Sequence, residues 1–197
     1  SANSNHGYYI GRYEAGVVDY NSSVSTSNSN NETNWTGYTG DNIKLVCKKE
    51  QQVWNYVTQN KASELSRNMY GSEAKVTSDL INSYAWDTAI IFIQTYSTGT
   101  DASMYASKNK GPTDGQKNTG LSNDKYCNIW DMSGNASEWT TEYSTDSGDS
   151  YFGPCVIRGG SYHTAGGGAY GYTSNRDSSD AANSFSYGGL RPLLYVK

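Results

Sequence analysis

Apolar positions first gather between residues 7 and 18, where Gly-Tyr-Tyr-Ile-Gly-Arg-Tyr-Glu-Ala-Gly-Val-Val reads as an aromatic and β-branched strand interrupted by glycine. Residues 19–42 are mostly Ser, Asn, Thr and Gly and read as a long surface loop. The period then changes. Thr58 stands where a helix N-cap belongs, Ala62, Leu65 and Met69 recur at helical spacing, and Gly71 follows as a stop. A second helix is expected over 78–96, with apolar residues around most of its circumference, which implies burial on more than one side. About 30 aperiodic residues follow residue 97, and the remainder alternates short apolar runs with Gly/Ser turns. The pattern predicts one α+β domain over 1–197, with two helices, short strands and extensive loops.

Composition narrows the function. Only 17% of residues are charged, the net charge is -4, and no block of like charge offers a footprint for nucleic acid. Mean hydropathy is -0.75, yet 18 Tyr and 5 Trp supply apolar area for a core, so the chain is expected to fold. No apolar run of membrane-spanning length occurs, and residues 1–20 lack the order of a signal peptide. Opening as it does on Ser1-Ala-Asn-Ser, the chain reads as the C-terminal part of a longer protein. Cys47, Cys127 and Cys155 are odd in number and widely spaced, so three buried thiols are favoured over one disulfide with a free thiol.

Three C-terminal segments carry a resemblance. Gly134-Asn135-Ala136-Ser137-Glu138-Trp139 resembles the Gly-Asn-x-x-Glu-Trp segment of the formylglycine-generating-enzyme (sulfatase-modifying factor) family. Arg158-Gly159-Gly160-Ser161-Tyr162 is similar to its Arg-Gly-Gly-Ser motif, and Gly189-Leu190-Arg191-Pro192 to its closing Gly-Phe-Arg, with Leu190 in place of Phe. Tyr9-Ile10-Gly11-Arg12-Tyr13-Glu14 resembles the opening strand. The resemblance implies a C-type-lectin-like fold of that type, with Trp130 and Trp139 as core anchors and Arg158 and Arg191 holding loops by backbone hydrogen bonds. It implies no oxidase. The copper-binding members use paired cysteines after the Arg-Gly-Gly-Ser motif, and His163–Tyr170 contains none. Iron-dependent relatives need clustered histidines, whereas this chain has only His6 and His163. No catalytic residue is assigned. The family's structural calcium would fall on Asn135 and Glu138, which serve equally well as a turn former and an arginine partner.

Residues 161–189 stand apart. They hold 6 Ser, 6 Gly, 4 Tyr and 4 Ala among 29 residues, with no Leu, Ile, Val or Met. Tyrosine among small residues is what antibody paratopes use, because the ring is large, rigid and amphipathic. The segment also lacks Lys, Glu, Gln, Met and Trp, although these supply 30 of the 197 residues, so about four in 29 are expected. Those five are the amino acids that no NNC codon encodes, the outcome of randomising both adenines of AAC codons. This resembles the variable proteins of diversity-generating retroelements, whose C-terminal C-type-lectin domains are rewritten by adenine-directed mutagenesis. The resemblance implies that Tyr162, His163, Thr164, Tyr170, Tyr172, Asp177, Asp180 and Tyr187 form the ligand surface, with Arg176 a buried scaffold residue. The expected function is recognition of a protein or glycan on a target cell, from a phage virion tip or a bacterial surface. A formylglycine-generating-type oxidase using Cys155 or Cys127, or a carbohydrate lectin, are the alternatives.

Overall fold

A computed structural model of the chain describes residues 7–17, 44–99, 102–108, 111–145, 153–164 and 171–197. The polar stretch 19–42 and Tyr170 lie outside them. Two α-helices, one 3-10 helix over Ala102–Ser107 and eleven short strands are found among the described residues, a mixed α+β architecture as the pattern predicts.

The expected N-terminal strand divides into β1 (Tyr8–Ile10) and β2 (Gly16–Val17), and β2 pairs antiparallel with β3 (Leu45–Val46). Helix α1 (Gln59–Asn68) begins where expected: the Thr58 side chain accepts from the Lys61 N–H at 3.3 Å, and the Met69 N–H closes the last turn on the Leu65 carbonyl. The second helix starts later than its apolar run suggests. Val76–Leu80 is strand β4, and α2 runs over Ser83–Tyr96 behind an Asn82 cap, whose Oδ1 accepts from the Ala85 N–H at 2.9 Å. Residues 78–80 belong to the sheet because β4 pairs along its whole length with β11 (Pro192–Val196), whose other edge takes β1. Nor is α2 buried on several sides. Ala85, Trp86, Ala89, Ile90 and Ile93 are buried, whereas Tyr84, Ile91, Phe92 and Tyr96 face outward.

A second sheet has the order β10-β7-β8-β9, formed by β7 (Ser137–Tyr143), β8 (Cys155–Arg158), β9 (Arg176–Ser179) and β10 (Gly188–Leu190). Its strands pair antiparallel except β10, which returns parallel to β7. Two short strands, β5 (Lys125–Tyr126) and β6 (Ile129–Trp130), make a separate hairpin. Two apolar clusters result. One joins α1, β8 and β10 around Trp54 and Trp139, and the other joins α2 to Tyr105, Met132 and Leu193 around Trp86. Trp139 is fully buried and its Nε1–H donates to the Val57 carbonyl at 2.8 Å, so it anchors the core as expected. Trp130 does not: it is half-buried, with Tyr13 tilted against its ring at 4.9 Å and the Lys125 ammonium 4.8 Å from its centroid. The core tryptophans beside Trp139 are Trp54 and Trp86.

The two motif arginines have different partners. Arg191 holds loops through the Gly11 carbonyl at 2.7 Å and the Trp130 carbonyl at 2.9 Å, as expected. Arg158 instead meets carboxylates, Asp87 at 2.6 Å and Glu142 at 3.3 Å. Arg176 bridges the same two carboxylates at 2.7 and 2.8 Å. It is thus framework, but 46% exposed and not buried, because it lies on the outer side of that four-charge network. The cysteines are three free thiols, with Cys155 buried and Cys47 and Cys127 half-buried.

Candidate ligand-binding surface

The site is built outward from the turn that precedes β7. Asn135 takes a left-handed backbone (φ 61°), which asparagine tolerates better than most residues. From there its amide reaches two distant segments. Nδ2 donates to Glu14 Oε2 at 2.5 Å and to the Lys117 carbonyl at 3.2 Å, while Oδ1 accepts from the Lys117 N–H at 2.8 Å. Its backbone carbonyl accepts from the Tyr162 N–H at 3.0 Å, and two residues on, the Ser137 N–H donates to the Tyr187 carbonyl at 2.7 Å. Both ends of the compositionally unusual segment are therefore fastened to the same turn.

At the first end, Ser161–Thr164 closes on itself. The Thr164 N–H donates to the Ser161 carbonyl at 3.1 Å, and the Ser161 N–H donates to Thr164 Oγ1 at 2.9 Å. Gly160 makes room behind this turn: with φ 67°, a Cβ there would lie 2.5 Å from the Gly171 carbonyl oxygen. Small residues thus pack the backbone closely and leave the rings to project.

The rings form a continuous series from core to solvent. Phe185 stacks on buried Trp139 at 6.0 Å, Tyr187 stacks on Phe185 at 5.0 Å with an 11° interplanar angle, and His163 stacks on Tyr187 at 5.5 Å. Tyr162 meets His163 edge-on at 6.4 Å, and its hydroxyl donates to Ser186 Oγ at 3.4 Å. Phe185, Tyr187 and Tyr162 are half-buried, and His163 is the exposed ring of the series. Burial, then the nearby Asp177 carboxylate and Tyr162, push the Tyr187 phenol above its ordinary pKa, so it stays a neutral donor and acceptor.

Of the expected ligand residues, the structure brings together Tyr162, His163, Thr164 and Tyr187, with Asp177 beside them. Asp180 lies past the far end of β9, where its Oδ1 accepts from the Ala182 N–H at 2.8 Å and its charge raises the Cys155 thiol. Tyr172 is half-buried on the turn behind Gly160 and makes no ring contact among the described residues. The segment is also less of a free loop than its composition implies, since β9 and β10 both belong to the sheet. Phe185 and Asn135 were missed as site residues. Phe185 stands two residues before Tyr187, in a turn that the Gly188 N–H closes on the Phe185 carbonyl at 3.1 Å and that lays the two rings against each other.

A second wall lies outside the unusual segment. Gly111, Pro112, Thr113, Asp114, Lys117, Leu121, Ser122 and Asn123 line a cavity of about 530 Å³. It adjoins the Ser161 turn, because a Cβ on Gly111 would lie 3.2 Å from the Ser161 carbonyl oxygen. Asp114 and Lys117 pair across it at 2.6 Å, so its charge is balanced internally.

Calcium does not fit the residues proposed for it. Both Glu138 carboxylate oxygens lie on the Arg191 guanidinium at 2.7–3.1 Å, and the Asn135 oxygen is taken by Lys117. A cation there would face a buried arginine. Among the described residues no group of three or more His, Cys, Asp or Glu side chains is placed to hold a metal ion. Two of the thiols are held in the protonated form: burial pushes Cys47 up to about 12, and burial followed by the Asp180 charge raises Cys155.

By sequence the chain matches no protein-family model and no curated protein. Among solved structures it is similar to Treponema denticola variable protein 1, at 23% identity and a TM-score of 0.42 over 61% of this chain and 48% of that one. It is similar also to CarF, at 15% identity and a TM-score of 0.49 over 73% and 67% of the two chains. A third is the Major Tropism Determinant I1 variant, at 15% identity and a TM-score of 0.42 over 71% and 38%. The chain aligns with about half the length of the first of these structures.

Proposed function

We propose that this chain is a C-type-lectin-like domain of the formylglycine-generating-enzyme type that binds a ligand through a diversified surface and has no catalytic role. The observation that carries this reading is the ring series Phe185–Tyr187–His163–Tyr162, standing on buried Trp139 with both ends of its segment tied to the Asn135 turn. Half-buried tyrosines supply contact area at little entropic cost, and interface hot spots are enriched in them. The absence of every residue type that NNC codons cannot encode supports retroelement-driven variation over 161–189. Raised thiol pKa values and the lack of paired cysteines near Ser161 support a non-enzyme. The partner we infer is a protein or glycan on a target cell, met by a protein of a phage virion tip or bacterial surface.

The test is a library in which the codons for Tyr162, His163, Thr164, Tyr172 and Tyr187 are randomised together. Most members are expected to fold with melting temperatures near that of the parent and to yield binders to immobilised proteins that the parent ignores. Widespread unfolding, or a folded library with no binders, would sink the reading. For the retroelement itself, the flanking DNA is expected to hold a reverse-transcriptase gene and a near-copy of the codons for 158–192.

A further inference from the structure

We infer that this chain forms a symmetric dimer through β1 and the outer face of α2, an interaction separate from the ligand surface and independent of that reading. Helix α2 has two unlike sides. Toward the core it buries Ala85, Trp86, Ala89, Ile90 and Ile93, while Tyr84, Thr88, Ile91, Phe92, Thr95 and Tyr96 form one continuous exposed arc. That arc carries no charge. The helix has one ionisable acid, Asp87, and it is taken up by Arg158 and Arg176. Exposed helix faces are ordinarily charged and polar, so an uncharged arc with an aromatic pair (Phe92 and Tyr96, ring centroids 5.0 Å apart) marks a surface that is covered.

Beside the arc lies an unfinished sheet. β1 pairs with β11 on one edge, and among the described residues no strand pairs with the other. The Gly11 N–H is bonded to the Pro192 carbonyl, so by the alternation of an antiparallel ladder Tyr8 and Ile10 turn their N–H and C=O groups toward the open edge. Nothing defends that edge: Tyr8–Ile10 holds no charge, no proline and no bulge. Below it runs an apolar groove of about 530 Å³, lined by Tyr8, Ile10, Ala85, Ala89, Phe92 and Ile129 among others.

A second copy supplies a strand for the open edge. Two β1 strands placed antiparallel about a two-fold axis at Tyr9 set Tyr8 of one copy opposite Ile10 of the other, and join two three-stranded sheets into one of six. The two uncharged arcs then meet beneath the joined sheet. The area suffices. Tyr9, Tyr84, Ile91, Phe92 and Tyr96 are 64, 86, 61, 43 and 68% exposed, which amounts to about 600 Å² of side-chain surface per copy. Two copies bring about 1,200 Å², the lower bound of specific interfaces, so the association is expected to be weak and reversible.

Sedimentation equilibrium of the chain over about 1 to about 300 μM, a span suited to a weak interface of this size, is expected to show the mass rising from 21.5 kDa toward twice that value. Phe92→Glu is expected to keep the chain monomeric throughout, and Ile91→Lys, at a more exposed position, to do the same with an unchanged melting temperature. Tyr162→Ser is expected to leave the dimer intact. A parent that stays monomeric at every concentration overturns the proposal, including one that binds vesicles or extended peptides through the groove. So does a dimer that survives both α2 variants.

Discussion

The surroundings of Arg191 and those of Tyr187 lie on neighbouring segments of chain and are held together in opposite ways. Around Arg191 the contacts are polar and made by a fully buried guanidinium. Its guanidinium spans Glu138, Gly11 and Trp130, while Glu14 takes the Asn135 amide and the Ala136 N–H. Burial works against the charge on Arg191, yet Glu138 and the other nearby acids outweigh it and hold the pKa above its ordinary value. Around Tyr187 the contacts are ring on ring, and they end in water at His163. The first region has no slack, since removing one member strands a buried partner. The second has a great deal, because a lost ring is replaced by solvent. A chain that varies one surface while keeping its fold needs these two kinds of contact side by side.

The sharpest way to break this contrast is Arg191→Ala, which leaves Glu138 buried without its counter-ion. It is expected to cost about 3–5 kcal/mol, enough to abolish a cooperative denaturant transition. The double variant Arg191→Met with Glu138→Leu is expected to be less destabilised than Arg191→Ala alone. If the single variant unfolds at the parent's denaturant midpoint, the polar centre is not what fixes the fold. Next in size is binding. Tyr187→Ala is expected to weaken a selected ligand by about 2 kcal/mol, roughly thirtyfold, as read by titration calorimetry, with affinity changing little between low and high salt.

A smaller effect concerns pH. Burial, then Asp131 and Glu138, raise the Glu14 pKa well above its ordinary 4.5, so folding takes up a proton between the two values. That contribution is fully present below the unfolded value and is lost as the pH climbs through the folded one. The melting temperature is therefore expected to fall as pH rises above 4.5, and less steeply in Glu14→Gln. Parallel slopes for parent and variant would show that another group titrates. Smallest of all, replacing Tyr162 and His163 together by Ser is expected to shift stability by about 0.5 kcal/mol or less. A large loss in differential scanning calorimetry would make those rings part of the core.

What could be read from the sequence follows how local each signal is. Helix α1 was legible because its cap, apolar spacing and stop lie within fourteen residues, Thr58 to Gly71. The start of α2 was not, because Leu80 and Ile81 continue its apolar run although Leu80 faces a sheet completed by β11 from the far end of the chain. The Asn82 cap was the available clue. Trp130 and Trp139 look alike in sequence, and only the tertiary fold separates the half-buried ring from the buried one. The tie between Asn135 and Glu14 spans 121 residues, and no local pattern encodes it. For the ligand surface, composition located the segment but not the facing of its residues. Tyr162, His163, Thr164 and Tyr187 converge, whereas Asp180 lies past the far end of β9 and Tyr172 makes no ring contact with them among the described residues.

The fastening of Tyr162 to Asn135, of Thr173 to Lys108 and of Tyr187 to Ser137, with β9 paired to β8 between the last two, divides the intervening chain into loops closed on a fixed base. The entropy of closing such a loop grows only with the logarithm of its length, so doubling it costs about 0.6 kcal/mol. The base, and not the number of residues between its posts, sets the stability of the whole. Variation here is accordingly free in a second dimension: a change of length between two such posts costs little more than the exchange of an exposed side chain.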